Sequence, residues 1–358
     1  MFFKKVACFT DIHFGMKGNS RVHNDDCEAF IYWFIDQAKA HGCETCIFLG
    51  DWHHHRASTN VSTMNYTVSN MERLGKAFEK VYVLMGNHDL FYREKREINS
   101  MEFIRNIPNI HLVNEWIVED DVALIPWIVG DEWKKIQKMK QQYVFGHFEL
   151  PYFKMNAMVE MPDVGGIQTE HFSNCGQVFS GHFHKRQVMK NVTYMGNAFP
   201  HNYADAWDDD RGMMIIEWDE YPKFIDWPDC PKYRVYNLSE VLDDPTKYFS
   251  DKMYVRLKLD VDITYEEANF IKETFMKQFN LREIALLQSE VVGEDSTMIG
   301  AEIKFESWIK SAELDLPSFA IPKYIRIVGD FPKTQTGKIQ KHFLKKEGIT
   351  NDTWKNDN

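Results

Sequence analysis

Short apolar runs that end abruptly in Asp, Asn, His or Gly constrain this chain more than any other feature. Five such runs are rich in β-branched or aromatic residues, which is typical of strands buried on both faces of a sheet. Helical patterns separate the first of these runs, and alternation of strand and helix predicts a sheet covered by helices. The five runs are residues 5–10, 45–50, 80–86, 142–147 and 176–182.

Two segments between the runs have apolar residues at helical spacing, residues 27–41 and 61–79, and Gly42 provides a stop for the first. Later apolar runs lack intervening helices and suggest a second sheet stacked on the first. We therefore predict the α/β fold class, a layered αββα sandwich. The later runs are HLVNE, VALIPWI, VTYMGN and GMMIIEW, between residues 111 and 218.

Prolines interrupt the pattern at 221–236 and predict a domain boundary there. After it, an alternating strand pattern precedes an amphipathic helix that begins with a capping box, Thr264 to Glu267. We predict a main domain over 1–230, a small α+β capping domain over 231–302 and a basic tail over 303–358. Within this tail, residues 317–350 carry seven Lys or Arg against two acidic residues, on a chain whose net charge is −11.

The polar residues that close the five runs predict a metal centre. Each follows a strand, and the carboxyl ends of parallel strands open into one crevice. In an extended segment, side chains two residues apart point the same way, so Asp11 with His13 and His182 with His184 can each offer two ligands together. The candidate ligands are Asp11, His13, Asp51, Asn87, His147, His182 and His184.

Seven oxygen and nitrogen donors without a thiolate exceed the roughly three protein ligands of one open catalytic ion and suit two ions that share a carboxylate. Such donors favour Mn²⁺, Fe²⁺ or Zn²⁺. Two ions about 3.5–4 Å apart polarise a phosphoryl group, which predicts hydrolysis of phosphate esters. The simplest partition gives the first ion Asp11, His13 and His184, the second Asn87, His147 and His182, and both ions Asp51.

The fragments FTDIHFG, FLGDW, MGNHD, FGHFE and SGHFH together resemble those of the calcineurin-like metallophosphoesterases. The stretches IPWIVGDEW and GHFELPYF make the chain most similar to the Mre11/SbcD nucleases, especially the subunits of T4-type phage recombination endonucleases. The similarity covers residues 4–230 well and 231–300 loosely. It implies an enzyme, a Mn²⁺-dependent DNA exonuclease and endonuclease for recombination and double-strand-break repair, working with a Rad50/SbcC-like ATPase and forming a homodimer.

The resemblance also implies roles for residues that are not metal ligands. His88 would lie over the scissile phosphate, where it stabilises the transition state or protonates the leaving oxygen. Asp89 would hold the His88 tautomer and raise its basicity. His54 would contact the phosphate, whereas its neighbours His53 and His55 are interpreted as solvated loop residues.

Two further segments have open interpretations. Residues 61–79 are a candidate dimer helix, although a stripe of Met, Tyr and Leu at helical spacing is also typical of a core. The last 30 or so residues resemble the C-terminal end of the adenylate-forming acyl-CoA synthetases, with Lys338 as the adenylation lysine. No nucleotide-binding domain of that family accompanies them. The resemblance to the nucleases implies docking on the ATPase instead, and a basic surface helix without a partner is the alternative interpretation. The stripe residues are Met64, Tyr66, Met71 and Leu74, and the docking anchors are Phe319, Ile321, Ile325 and Ile339.

Composition limits the cellular location and the alternative functions that this chain can have. No apolar stretch reaches the about 18 residues of a membrane span, and six cysteines without framework spacing predict a reducing compartment. We therefore expect a cytoplasmic protein, in the host cytoplasm if it is phage-encoded. A phosphodiesterase or phosphatase for a small phosphorylated molecule is the alternative function, and a scaffold without metals is a third. The acidic charge implies that much of the DNA contact comes from the partner ATPase.

Overall fold

The computed structural model describes residues 2–155, 159–288, 323–326, 345–350 and 353–355. The chain separates into two compact units, Met1–Ser289 and Glu290–Asn358. The predicted boundaries at 230 and 302 stay predictions. Several residues of the tail lie outside the described residues: Lys338, Phe319, Ile321 and Ile339.

The strands and helices of the first unit follow one another along the chain in this order. They are β1 (Lys5–Phe9), α1 (Met16–Asn19), α2 (Arg21–Ala40), β2 (Thr45–Phe48), α3 (Val61–Ala77), β3 (Lys80–Leu84), β4 (Leu90–Tyr92), β5 (Lys95–Asn99), β6 (Ile110–Val113), β7 (Ile117–Glu119), β8 (Val122–Ile125), β9 (Tyr143–His147), β10 (Gln177–Gly181), β11 (Gln187–Met189), β12 (Val192–Tyr194), β13 (Gly212–Glu217), β14 (Lys223–Asp226), β15 (Lys232–Asn237), α4 (Leu238–Leu242), β16 (Met253–Leu259), α5 (Tyr265–Gln278) and β17 (Glu283–Gln288).

Two six-stranded sheets stack face to face. The first has the order β14-β13-β1-β2-β3-β6, and the second has the order β11-β12-β10-β9-β8-β7. In the first sheet β1, β2, β3 and β6 run parallel, and in the second β12, β10, β9 and β8 run parallel. The predicted sandwich is confirmed, but the predicted membership of the sheets is wrong. β6 and β13 belong to the first sheet, whereas β9 and β10 join the later strands in the second.

A dry layer of apolar side chains, among them Val6, Leu49, Phe145 and Phe179, fills the space between the sheets. Helices α2 and α3 cover the outer face of the first sheet. Short 3-10 helices over Gly130–Lys138 and Thr169–Phe172 pack on the outer face of the second. This layering buries both faces of each sheet. The ends of the strands are therefore the places where a binding site can form.

Helix α2 begins at Arg21, six residues before the predicted start, and its first turn is capped by the Ser20 hydroxyl. Helix α3 has Met71 and Leu74 buried in the core of this same chain. These two members of the proposed dimer stripe are therefore core residues, and the interface interpretation is wrong for them. Helical spacing cannot tell a core stripe from an interface stripe, because both are apolar.

A three-stranded parallel sheet, β15-β16-β17, forms the small module after the proline-rich segment. Helix α5 begins with the predicted capping box: the Thr264 hydroxyl accepts a hydrogen bond from the Glu267 amide, and the Glu267 carboxylate accepts one from the Thr264 amide. The ion pair Arg282–Asp26, at 3.0 Å, fixes the module to helix α2 of the sandwich.

The second unit contains β18 (Tyr324–Arg326) and β19 (Thr353–Lys355), which pair antiparallel. In the first unit all six cysteines are free and buried, and burial raises the pKa of Cys43 to about 11. A thiol in this state is a packing residue, not a reactive group. Among the described residues, no helix combines the length and the apolar character that a membrane span requires.

Candidate metal centre

The seven predicted ligands occupy loops at the carboxyl ends of five strands, β1 to β3 of one sheet and β9 and β10 of the other. Four of them have left-handed backbone angles: φ is 50° at Asp11, 53° at His13, 62° at Asp51 and 89° at His182. Such angles cost an L-residue roughly 1–3 kcal/mol and accumulate at functional sites. The loops are therefore held in shape by the sheets behind them.

The first group of ligands combines Asp11, His13 and His184. Nε2 of His13 lies 3.3 Å from Nε2 of His184, and each of these nitrogens lies 3.9 Å from Oδ1 of Asp11. One ligand atom from each residue lies within 4.8 Å of the other two. The structure thus brings together the residues that the simplest partition gave to the first ion.

The second group combines Asn87, His147 and His182. Oδ1 of Asn87 lies 3.2 Å from Nε2 of His147 and 2.9 Å from Nδ1 of His182. His147 and His182 also share a potential ion site with the carboxylate of Asp51. These are the residues that the partition gave to the second ion.

Asp51 lies between the two groups. Its Oδ2 is 3.7 Å from Nε2 of His13 and 3.5 Å from Nε2 of His147, and its Oδ1 accepts a hydrogen bond from the His88 amide at 2.7 Å. Burial alone would raise the pKa of Asp51, but the neighbouring His147 and His88 hold it well below its usual value. The shared carboxylate therefore stays ionised, as a bridging ligand must.

The buried carboxylates of the centre shift the pKa of a neighbouring imidazole upward. Burial lowers the pKa of His147, but Asp51 and then Asp11 outweigh it and raise the value to about 9. By contrast, burial lowers the pKa of His13 and of His182, which favours the neutral imidazole that a metal ligand requires. Two buried carboxylates that draw a proton onto an imidazole provide the charge that a divalent cation would balance.

The separations between ligand atoms fit this kind of occupant. Atoms about 2.1 Å from one ion lie roughly 3.0–3.4 Å from each other, depending on coordination geometry. Distances of 2.9, 3.2 and 3.3 Å within the two groups lie close to this range, whereas the two distances to Oδ1 of Asp11, 3.9 Å each, exceed it. Nδ1 of His13 is buried without a hydrogen-bond partner, so no acceptor in the protein fixes the tautomer of this ring.

Backbone and side-chain acceptors fix the tautomers of the second group. Nδ1 of His147 donates to the carbonyl oxygen of Leu49 at 2.7 Å, which leaves Nε2 as the ligand atom. Nε2 of His182 faces Oε1 of Glu149 at 3.3 Å, which leaves Nδ1 as the ligand atom. A carboxylate behind a ligand imidazole raises its basicity and fixes its orientation.

Glu149 was not among the predicted site residues. Its carboxylate is paired with Arg93 as well as with His182. Burial would raise the pKa of Glu149, but His182 and Arg93 lower it to about 2. The sequence signal was its position two residues after His147, which in an extended segment places both side chains on the same side.

His88 lies beside the first group, with its ring centroid 5.0 Å from that of His13. Its Nδ1 donates to the carbonyl oxygen of His54 at 2.7 Å, because a carbonyl can only accept. Nε2 is therefore free for a substrate oxygen. The His54 ring stacks on His88 at 5.5 Å, and the two imidazoles with His13 form a third potential metal group.

The role expected for Asp89 differs from its contacts. Its carboxylate accepts hydrogen bonds from the backbone amides of Asp51, Trp52, His53 and Gly86, at 2.8–3.1 Å. The orientation of His88 comes from the His54 carbonyl instead. Asp89 is thus a positioning residue for the loop that carries Asp51, and the expectation that it holds the His88 tautomer is corrected.

The interpretation of His53 as a solvated loop residue is wrong. Its side chain is buried, with Nδ1 at 2.8 Å from the Ser100 hydroxyl and Nε2 at 3.0 Å from the Thr67 hydroxyl. His55 is exposed, as expected. Of the three consecutive histidines, the first supports the loop, the second faces the centre and the third faces solvent.

Two further buried histidines were missed. Nε2 of His201 donates to the carbonyl oxygen of Asp11 at 2.8 Å, and Nε2 of His23 donates to that of His13 at 3.0 Å. They support the first ligand loop from behind. Neither follows a β-strand directly, so the strand-end pattern had no means of finding them.

Four ligands follow a glycine directly: Asp51, Asn87, His147 and His182. A Cβ on Gly86 would lie 2.2 Å from Oδ1 of Asp51, and a Cβ on Gly181 would lie 2.8 Å from Oδ2 of Asp11. The ligand side chains fold back over these backbone positions. The repeated glycine was visible in the sequence as a signal of close approach.

Comparison with known proteins agrees with this geometry. Residues 4–186, just over half of the chain, match the family Calcineurin-like phosphoesterase, and the chain belongs to that family. Its members are metal-dependent hydrolases of phosphate esters, so the predicted enzyme class is confirmed. The ligand groups fit the divalent metals that this family uses.

Among individual proteins, the chain is similar to Exonuclease subunit 1 of Enterobacteria phage T4, with 24% identity over 306 residues that cover 82% of this chain and 87% of the phage protein. The crystal structure of Pseudomonas putida nuclease MPE is also similar, with 20% sequence identity and a TM-score of 0.28, over 52% of this chain and 66% of that one. The first of these likenesses extends well beyond the phosphoesterase region.

Proposed function

We propose that this chain is the nuclease subunit of a DNA-end-processing complex: a Mn²⁺-dependent exonuclease and endonuclease that acts in recombination and double-strand-break repair. The observation that carries the proposal is the length of the similarity to a phage exonuclease subunit, 82% of this chain. A likeness restricted to the metal ligands would support any phosphoesterase. This one includes the module that follows the sandwich.

We propose the seven predicted residues as the ligands, with Asp51 bridging. Two divalent cations held there would neutralise charge on a phosphodiester and lower the pKa of a water molecule. The mixture of carboxylate, amide and imidazole donors supports Mn²⁺. Beside them, Nε2 of His88 would bond to a phosphate oxygen or protonate the leaving oxygen, and His54 would contact the same phosphate.

The other parts of the chain receive supporting roles in this proposal. The module over 231–302 would cap the centre and help place DNA, and the tail over 303–358 would dock on a Rad50/SbcC-like ATPase. The phage relative is called a subunit, which supports a complex. The chain would also form a homodimer. Without the residues 317–358, affinity for the ATPase should fall, and an unchanged affinity would refute the docking role.

The central test uses end-labelled duplex and single-stranded DNA, with and without Mn²⁺ and with the ATPase added. We expect Mn²⁺-dependent cleavage by the wild-type chain and none by Asp51→Asn, whose amide would bridge two cations poorly. The net charge of −11 favours one rival, an enzyme for a small phosphorylated molecule. Hydrolysis of a nitrophenyl diester without any cleavage of DNA would select that rival.

A further inference from the structure

A β-hairpin, β4–β5, leaves the metal centre and carries two exposed aromatic side chains. β4 begins at Leu90, directly after Asp89. Phe91 and Tyr92 are 43% and 48% exposed, and their rings contact each other edge to face at 4.7 Å. Adjacent large aromatic side chains in water forgo hydrophobic stabilisation, and such patches commonly mark a binding surface.

An irregular register explains why both rings reach solvent. In a regular strand, Tyr92 would share the face of Leu90, which is fully buried, and only Phe91 would point outward. The pairing of β4 with β5 shifts between Leu90 and Tyr92. Bulges of this kind re-aim side chains and are frequent beside active sites. The shift turns a potential core residue into a second exposed ring.

The hairpin has only two strands, which are marginally stable alone, but side-chain hydrogen bonds anchor it to the sandwich. The buried Arg96 side chain donates to the carbonyl oxygen of Trp127 at 2.7 Å and to both carboxylate oxygens of Glu132 at 2.6 Å. The indole of Trp127 donates to the carbonyl oxygen of Arg93 at 3.0 Å. Rings on a fixed support lose little conformational entropy when they bind a ligand.

The nearby cations are already paired with carboxylates, which leaves the exposed ring faces as the unpaired feature of this surface. Arg93 is paired with Glu149, and Lys95 lies 3.5 Å from Glu97. An aromatic face stacks on any nucleobase without reading its edges. Phe91 follows His88 by three residues, so their Cα atoms are at most about 10 Å apart. A base next to the phosphate at His88 would lie within reach of the rings.

We infer that Phe91 and Tyr92 form a stacking platform for an unpaired nucleobase next to the scissile phosphate. This inference rests on the proposed nuclease function. The platform would hold the end of a strand that has separated from its complement, and it would do so for any sequence. Its ligand class is single-stranded nucleic acid at a duplex end.

The test compares wild type with Phe91→Ala/Tyr92→Ala and with Phe91→Leu/Tyr92→Leu, which keeps apolar area but removes the π faces. The measured quantity is the ratio of kcat/KM on DNA to kcat/KM on bis(p-nitrophenyl) phosphate, a substrate without bases. We expect the ratio to fall roughly 5- to 100-fold in both double variants. Tyr221→Ala, which removes a side chain that is 91% exposed, is the matched control and should leave it unchanged.

A second readout places 2-aminopurine at the terminal or an internal position of the DNA. Wild type should quench the terminal probe by stacking, and both double variants should not. If wild type hydrolyses the diester but never DNA, the proposed function fails and the platform with it. If wild type cleaves DNA while both double variants keep the ratio and the quenching, only the platform is refuted. A normal ratio in the leucine variant alone would also refute stacking.

Discussion

At the scale of single residues, three imidazoles of the centre, those of His147, His88 and His182, have one nitrogen held by a partner in the protein and the other left for a ligand. Leu49 and His54 provide carbonyl acceptors for His147 and His88, and Glu149 provides a carboxylate for His182. The ligand atom is therefore selected before any ion or substrate binds. Glu149 is the side chain among these three partners, so its role can be tested by substitution.

Replacing Glu149 by glutamine should weaken the second ion site without removing a ligand. The amide keeps the size of the side chain but loses the charge that raises the basicity of His182, and such changes cost about 10- to 100-fold in metal affinity or activity. Isothermal titration with Mn²⁺ measures the affinity. The neighbouring exposed Glu94, changed to Gln, is the control. Equal affinities for the Glu149 variant and wild type would remove Glu149 from the centre.

Replacing His88 by alanine should separate metal binding from catalysis. The side chain is not assigned to either ligand group, so Mn²⁺ should still bind with two ions per chain. Loss of a positioned proton donor should lower DNA cleavage by roughly 100- to 10,000-fold. His55→Ala, in an exposed side chain of the adjacent loop, should have normal activity. A metal-loaded His88 variant with wild-type rates would contradict the role.

The sequence predicted which residues gather, because strand-end position and residue type determine that. It could not predict their orientation. The acceptors for His147 and His88 are backbone carbonyls, which have no residue signature. Asp89 was assigned by adjacency to His88, yet its carboxylate turns to four backbone amides. Residues that are adjacent in the sequence lie close together, but their side chains can point in different directions.

At the scale of elements, the glycines that end the strands determine how closely the ligands approach the backbone. Gly86→Ala should disrupt the Asp51 bridge, because the added Cβ would lie 2.2 Å from its Oδ1. We expect a large loss of Mn²⁺ affinity. Gly75→Ala is the control with similar crowding elsewhere, 2.5 Å from the Pro108 carbonyl, and should lower the Tm alone. Normal Mn²⁺ binding by Gly86→Ala would show that the carboxylate can move aside.

The strongest side-chain anchor of the β4–β5 hairpin is the ion pair between the buried Arg96 and Glu132. Arg96→Met should destabilise the protein by about 3–5 kcal/mol, since it leaves a partly buried carboxylate without its partner. The double variant Arg96→Met/Glu132→Gln should recover part of that loss. Urea denaturation measures both. A single variant as stable as wild type would show that the hairpin is held by its other contacts.

The predicted elements were mostly correct in kind and less so in arrangement. Apolar runs located the central strands, but no pattern in a run says which sheet it joins, and β9 and β10 were placed with the wrong neighbours. The hairpin was missed altogether, because charged residues over 93–97 hide its alternation. Its strand β5 is fixed by Arg96, a long-range contact that periodicity does not report.

At the scale of the whole molecule, buried neutral histidines tie stability to pH. Burial lowers the pKa of His53 to about 4 and that of His23 to about 3, against about 6.5 in an unfolded chain. The unfolded state therefore takes up protons first as the pH falls below about 6.5. The stability that these two groups contribute is full above that value and declines as the pH falls toward their folded pKa values.

For His53 alone, the free energy of unfolding should fall by about 2 kcal/mol between pH 7 and pH 5. Denaturant unfolding at several pH values measures the slope. His53→Gln should flatten it, whereas a change at the exposed His55 should not. An unaltered slope in the His53 variant would assign the pH dependence to other groups.

The left-handed angles at Asp11, His13, Asp51 and His182 have a consequence for how ions are chosen. Folding of the chain compensates for the unfavourable backbone energy of these residues. The cage formed by the ligand loops therefore has its shape before a cation binds. Exchange of one divalent ion for another then requires no rebuilding of the loops. A cage formed in advance would favour the ions whose coordination geometry it matches, and exchange of one such ion for another would alter turnover while leaving the protein's form the same.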